Sequence, residues 1–185
     1  MAERKTGQRD LRIVNIVAST SLEHDIPLIK LAEKLPNTEY NPEQFPGLVM
    51  RIKDPKTSAL IFGSGNVVCT GARSMVKLRE SIKQIIKNVE KIGIKIKVVP
   101  RVKVQNMVAS GSIGMDLNLN RLAMELDNTE YEPEQFPGLV YKLSGTRATF
   151  LLFSNGKIVC TGTRSEPTLK EAVDELVNRL KALKK

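Results

Sequence analysis

The chain repeats itself. Shifted by 91 residues it lies on itself: residues 37–49 read NTEYNPEQFPGLV and residues 128–140 read NTEYEPEQFPGLV, with Asn41 against Glu132 as the one difference. VCTGARS at 68–74 returns as VCTGTRS at 159–165, and Asn15-Ile-Val-Ala-Ser returns as Asn106-Met-Val-Ala-Ser. The register holds without a gap from residue 12 to the C-terminus. The period is too long for a solenoid and describes one supersecondary unit made twice. After a polar segment, 1–10, the first repeat spans 11–98 and the second 99–185, with the join near Val99-Pro100. Internal pseudo-two-fold symmetry is expected.

Each copy opens on an alternating stretch, Arg12 to Ser19 and Lys103 to Ser110, whose period of two predicts a strand. A short helix follows, with Asp25 and Asp116 expected as N-caps and Leu28, Leu31, Ala32 and Leu35 at helical spacing. A turn-rich segment around Pro42 and Pro46-Gly47 leads to three strand-like runs, Leu48–Lys53, Ser58–Phe62 and Val67–Thr70. Gly65 and Gly156 sit where the last two runs would join in a tight hairpin. A long amphipathic helix closes the unit. In the second copy Ser165-Glu-Pro predicts its cap and first turn, and Leu169, Val173, Leu176, Val177 and Leu180 form one apolar stripe. The reading is an α+β fold: two repeats sharing a curved antiparallel sheet, helices on one face and the other face free.

Alternation lists that free face. Where Ile16, Ala18 and Cys69 point to the helices, Asn15, Val17, Leu60, Phe62, Val68 and Thr70 point away, and the second copy offers Asn106, Val108, Leu151, Phe153, Val159 and Thr161. A solvated face is normally charged; this one is apolar with a few small hydrogen-bonding groups, the character of a binding surface. Periodicity leaves open whether another part of the chain or a second copy covers it. Four of the five phenylalanines obey the repeat. Phe45 and Phe136 each directly precede Pro-Gly, and Phe62 and Phe153 follow 17 residues later. A loop-to-strand junction suits an aromatic wedge better than a core ring.

Composition narrows the partners. The net charge of +9 suits a polyanion. It is unevenly spread: residues 1–98 hold 17 Lys+Arg against 10 Asp+Glu, residues 99–185 hold 12 against 10. No apolar run is long enough to span a bilayer, and MAERKTGQRD has no apolar signal core, so neither membrane insertion nor export is expected. Cys69 and Cys160 fall on the core-facing phase of a strand, as buried reduced thiols would. The single histidine, His24, is not repeated, and Gly63-Ser-Gly-Asn lacks the GK[ST] of a phosphate loop and reads as a hairpin. No catalytic constellation, metal site or cofactor is expected.

The blocks EYNPEQFPGLVMRI, ALIFGSGNVVCTGARS, VQNMVAS, YEPEQFPGLVYKL and LLFSNGKIVCTGTRS resemble, in order and spacing, the repeated core of the TATA-box-binding protein family, over about residues 11–184. The resemblance implies a saddle: a ten-stranded antiparallel sheet, concave towards DNA, with four helices on the convex face. It implies a non-enzymatic general transcription factor that binds the minor groove of A·T-rich promoter DNA. Phe45, Phe62, Phe136 and Phe153 match the family's wedges; Asn15, Asn106, Thr70 and Thr161 its polar groups over the central base pairs. Val17, Leu60, Val68, Val108, Leu151 and Val159 match its apolar floor. Arg51, Lys56 and Ser64, then Lys142, Arg147 and Lys157, match its phosphate contacts. Two positions depart from that pattern: Gln44 stands where the family often has a basic residue, and Asn66 where the other copy has Lys157. The resemblance further implies transcription factor B as a partner, at the loop holding Glu132 and Glu134, then RNA polymerase. An archaeal cell, with the protein on the nucleoid in its cytoplasm, is the expected setting; in a eukaryote it would be the nucleus.

The residues agree with that expectation on chemical grounds. Adenine–thymine pairs show only acceptors in the minor groove, whereas guanine adds a projecting amino group. Asn and Thr can donate to acceptors, and a tight apolar floor leaves no partner for the amino group. In the first long helix Arg79, Lys83, Lys87 and Lys91 recur every four residues as a basic stripe for acidic regulators or flanking DNA; the matching positions of the second are Lys170, Asp174, Asn178 and Ala182. Two other readings stay open here: a sequence-tolerant single-strand binder stacking bases on its phenylalanines, and a scaffold that self-associates through its apolar face.

Overall fold

A computed structural model describes residues 10–183; the polar segment before residue 10 and the last two lysines lie outside the described residues. Ten strands and four helices follow one another in two like series. β1 is Arg12–Ser21, α1 Leu28–Lys34, β2 Thr38–Glu39, β3 Leu48–Ile52, β4 Thr57–Ile61, β5 Asn66–Ala72 and α2 Met75–Glu90. β6 is Lys103–Ser112, α3 Leu119–Glu125, β7 Thr129–Glu130, β8 Leu139–Lys142, β9 Thr149–Leu152, β10 Lys157–Thr163 and α4 Glu166–Leu183. The strands make one antiparallel sheet in the order β2-β3-β4-β5-β1-β6-β10-β9-β8-β7.

The chain falls into two compact units. The first is residues 14–106; the second joins residues 10–13 to residues 107–183. In the second unit a Cβ on Gly111 would lie 2.8 Å from the Asp10 carbonyl oxygen and 3.1 Å from Leu11 Cα, so glycine lets the opening residues lie close on β6. In the first, Thr20 Oγ1 donates to the Arg101 carbonyl at 2.8 Å.

In the first unit the core is one-sided. Ile16, Ala18, Met50, Ala59, Ile61, Val67 and Cys69 are buried on the strands, and Leu78, Ile82, Ile85 and Val89 on α2. Ser74 caps α2 by accepting from the Lys77 amide at 3.1 Å. A buried Thr57–Ser81 hydroxyl pair, 2.9 Å apart, ties β4 to α2. In the second unit Leu139, Tyr141, Phe150, Leu152, Ile158 and Cys160 pack against Leu169, Val173, Leu176 and Leu180 of α4. Burying each such side chain is worth about 1.5–3 kcal/mol, which fixes which face of the sheet the helices cover. The Ser165 hydroxyl caps α4 by accepting from the Thr168 amide at 3.3 Å, as expected.

Two expectations need correction, and one pair of strands has no signal in the sequence. Asp25 and Asp116 are not N-caps. Pro27 and Asn118 are, and the Asn118 side chain accepts from the Arg121 amide at 3.0 Å. Proline holds the preceding Ile26 out of helical geometry, and the Ile26 amide is already committed to the Gly63 carbonyl at 2.9 Å, so α1 starts later than the Asp25 signal suggests. The strands β2 and β7 were not read from periodicity, because two residues display no period. β1 and β6 run two residues past Ser19 and Ser110, to Ser21 and Ser112.

Candidate nucleic-acid interface

The uncovered sheet face of the first unit is built by register. Val49 pairs with Leu60, Leu60 with Val68 and Val68 with Ser19, so a mostly apolar row crosses four strands on one side. A second row runs Arg51, Ser58, Thr70. Asn15, Val17, Leu60, Phe62, Val68 and Thr70 are all half-buried. In the second unit the same rows run Val140, Leu151, Val159, Ser110 and Lys142, Thr149, Thr161. Val108, Leu151, Phe153, Val159 and Thr161 are half-buried there, and so is Asn106 on β6.

Hydrogen bonds orient Asn15. The Gly71 amide donates to Asn15 Oδ1 at 2.7 Å. Thr70 Oγ1 lies 3.2 Å from Nδ2 and 3.3 Å from Oδ1. Whichever of the two donates, at least one Asn15 N–H remains for a ligand that offers acceptors. A β-bulge allows this contact. β1 advances two residues from Ile16 to Ala18 while β5 moves three, from Ala72 to Cys69, and Gly71 absorbs the extra residue at φ +100. Gly162, at φ +92, does the same between Cys160 and Thr163.

The phenylalanines stand in pairs beside this floor. Phe45 and Phe62 meet edge to face with centroids 6.0 Å apart and planes at 66°; Phe136 and Phe153 meet at 6.0 Å and 70°. Their backbones are fixed independently: the Phe45 amide donates to Asn41 O at 3.0 Å, and the Phe62 amide to Asn66 O at 2.9 Å across the Gly65 hairpin. Phe45 is 43% exposed and Phe136 41%, high for such rings in a folded chain. Each pair sits on a glycine. A Cβ on Gly47 would lie 2.8 Å from Phe45 and 3.1 Å from Phe62; on Gly138, 2.7 Å from Phe136 and 3.1 Å from Phe153.

Cations rim the face. Arg51 is drawn to Glu39, both Nη atoms 3.3 Å from Oε2, in an exposed pair. Lys56 lines a cleft of about 650 Å³ with Arg73 and Lys77, and Arg147 lines one of about 630 Å³ with Arg164. Lys157 lines a third, of about 540 Å³, beside Phe153. Ser64 Oγ accepts from the Asn66 amide at 3.4 Å, and Lys142, Gln44 and Asn66 are exposed. Arg73 and Arg164 escaped the sequence reading, although both close the repeated VCTG-x-RS block. Gly47, Gly138, Val49, Val140, Ser58 and Thr149 escaped it too, because their place depends on cross-strand register.

Glu132 and Glu134 are exposed, and the Glu132 carbonyl accepts from the Gln135 and Phe136 amides at 3.0 Å, so this turn presents acid and wedge together. Arg79, Lys83, Lys87 and Lys91 are exposed on the helical side. His24 is exposed, its Nδ1 2.6 Å from Asp25 O. Burial pushes the Cys69 thiol up to about 11 and Cys160 to about 12, far from a nucleophile's range. Among the described residues there is no metal-ligand cluster and no helix long and apolar enough to cross a membrane.

Comparison with known proteins decides the family. The family model described as "Transcription factor TFIID (or TATA-binding protein, TBP)" matches residues 10–92 and 101–183. The chain belongs to the TATA-binding protein family. It is 49% identical over 175 residues to the TATA-box-binding protein of Archaeoglobus fulgidus, covering 94% of this chain and 96% of that one. It is 49% identical over 170 residues to that of Thermococcus kodakarensis, covering 92% and 90%. The solved structure of Methanococcus jannaschii TBP superposes with a TM-score of 0.88 at 46% identity, covering 94% of this chain and 99% of that one. TATA-binding proteins are DNA-binding transcription factors and not an enzyme family.

Proposed function

We propose that the chain is a general transcription initiation factor that binds the minor groove of A·T-rich promoter duplex and kinks it. The observation that carries this is the glycine-seated phenylalanine pair beside an uncharged floor, present once in each unit. Asn15, Thr70, Asn106 and Thr161 donate to the acceptors of adenine and thymine, while Val17, Leu60 and Val68, and Val108, Leu151 and Val159, leave no partner for a guanine amino group. Phe45 with Phe62, and Phe136 with Phe153, enter base steps. Unstacking a step costs on the order of a few kcal/mol, a figure for which this family is the reference case, and is offset by the surface the bend wraps. Flexible steps such as TA lower that cost. Arg51, Lys56 and Ser64, and Lys142, Arg147 and Lys157, neutralise phosphates and make binding salt-dependent.

Two nearly identical units cannot alone set direction on DNA. Glu132 and Glu134 exist on one side only as a pair of carboxylates, since Asn41 replaces the first in the other repeat. They suit basic side chains of transcription factor B, through which RNA polymerase is recruited. In an archaeal cell this activity would sit on the nucleoid. The test is a gel shift against a TATA duplex, a G·C duplex and single strands, with and without transcription factor B. Selective retention of the TATA duplex supports the reading; equal retention of all three returns the single-strand alternative.

A further inference from the structure

The chain's opening residues complete a cleft beside one wedge. In the unit made of residues 10–13 and 107–183, Asp10 and Arg12 line a hollow of about 540 Å³ together with Ser112, Phe153, Asn155 and Lys157. Register brings them together. Lys157 pairs with Ser112 and Ile158 with Gly111 across β10 and β6. Gly111 in turn lies against the Asp10 carbonyl, on the side of β6 away from β10. The backbones of Asp10 and Lys157 are therefore two strand spacings apart, about 10 Å, a gap that long side chains and one phosphate close.

The lining is rich in donors. Ser112 Oγ accepts from the Gly114 amide at 3.2 Å, and Asn155 Oδ1 from the Lys157 amide at 3.1 Å. Their acceptors are thus in use, while the Ser112 O–H and the Asn155 side-chain N–H groups keep their capacity to donate. Asp10 is the one carboxylate in the lining. Its Oδ1 lies 3.2 Å from Arg12 Nε, in a pair whose side chains are 73% and 77% exposed. The other unit puts no acid at the matching positions. Asp10, Arg12, Gly111 and Lys157 have Arg101, Lys103, Thr20 and Asn66 as their counterparts. Each corner carries two cations, and Asp10 is an addition to one of them.

We propose that Arg12 is a further phosphate contact beside the Phe153 wedge, and that Asp10 is the carboxylate a DNA phosphate displaces from it. The proposal rests on the DNA reading and adds to it one cation and its restraint. An ion pair this exposed contributes little, so exchanging it costs little. A phosphate in the guanidinium fork gains charge-assisted hydrogen bonds and releases a condensed counterion from the duplex. Asp10 therefore weakens the grip of this corner without abolishing it.

The test measures gel-shift affinity against salt concentration for a TATA duplex and a G·C duplex. It uses the full chain and the variants Arg12→Gln, Asp10→Asn and the two together. Arg12→Gln is expected to flatten the slope of log affinity against log salt by about 0.9. Asp10→Asn is expected to raise TATA affinity about two- to fivefold. The double variant should match Arg12→Gln alone, because Asp10 acts through Arg12. Urea melts of all three should follow the parent's, since both side chains are exposed. An unchanged slope in Arg12→Gln overturns the contact. No gain from Asp10→Asn overturns the displacement, and so does a gain that persists without Arg12, which shows general repulsion. The DNA reading itself is judged separately, by whether the parent prefers TATA to G·C. If it does not, the slope on either duplex still decides Arg12; a parent that binds neither duplex overturns both.

Discussion

Gly138→Ala isolates the seat of a wedge from the wedge itself. The new methyl would lie 2.7 Å from the Phe136 ring and 3.1 Å from that of Phe153, whereas ordinary contact begins near 3.4 Å. Phe136 must therefore retreat by about 0.7 Å and Phe153 by about 0.3 Å, the differences between those distances. In the free protein this is cheap. Phe136 is 41% exposed and can swing into solvent, and alanine restricts the unfolded chain, which stabilises by about 0.4–1 kcal/mol. The melting midpoint should hardly move. Clamped between base pairs the ring has nowhere to go, so an overpacking cost of about 1–3 kcal/mol falls on the complex alone, or about 5- to 150-fold in affinity. Fluorescence transfer across an end-labelled TATA duplex should report a smaller bend, and urea melts an unchanged fold. A variant that bends DNA as fully as the parent, with its stability intact, would remove the claim that the glycine seat positions the wedge.

Other outcomes follow from the same geometry. Phe136→Ala and Phe153→Ala should each reduce bending more than they reduce stability; the same transfer assay and a urea titration compare the two losses. Asn15→Asp keeps an oxygen for the Gly71 amide but removes the N–H donors and adds a negative charge, so TATA affinity in gel shifts should collapse while the melt stays close to the parent's; normal affinity would deny Asn15 a donor role. Lys157→Gln, Arg147→Gln and the newly placed Arg164→Gln should each flatten the slope of log affinity against log salt by about one phosphate contact, and an unchanged slope excludes that residue. Cys69 and Cys160 remain protonated in the fold to about 11 and about 12, while in the unfolded chain they ionise near 9.0; stability is therefore full below about pH 9 and declines as pH rises through the folded values. Alkaline urea melts of the parent against Cys69→Ala/Cys160→Ala test this, and an equal decline in both would trace it to other groups.

The face of the sheet was legible because one side is covered and the other is not. Period-two alternation puts Ile16, Ala18 and Cys69 under the helices and leaves Asn15, Val17, Val68 and Thr70 on the open side, where the structure has them. The hairpin at Gly65 and the cap at Ser165 were legible from local chemistry alone. What stayed hidden depends on parts of the chain far apart. Whether Val49, Leu60, Val68 and Ser19 line up is a matter of register across four strands, and no window of sequence contains it. The glycines beneath the rings read as turn residues next to proline; only the meeting of Phe45 with Phe62 shows why a methyl cannot stand there. Asp25 misled because a good capping residue is overruled by a proline two places on. Arg73 and Arg164 could have been found, since the repeat prints both in the same frame.

The two compact bodies are not the two copies of the duplicated text. Residues 11–13 open the first copy but are counted with 107–183. Anyone trimming the chain from its start, or fusing a bulky tag against Leu11, would be editing the downstream body, and a half-length fragment beginning at Pro100 would lack the few residues its own sheet leans on.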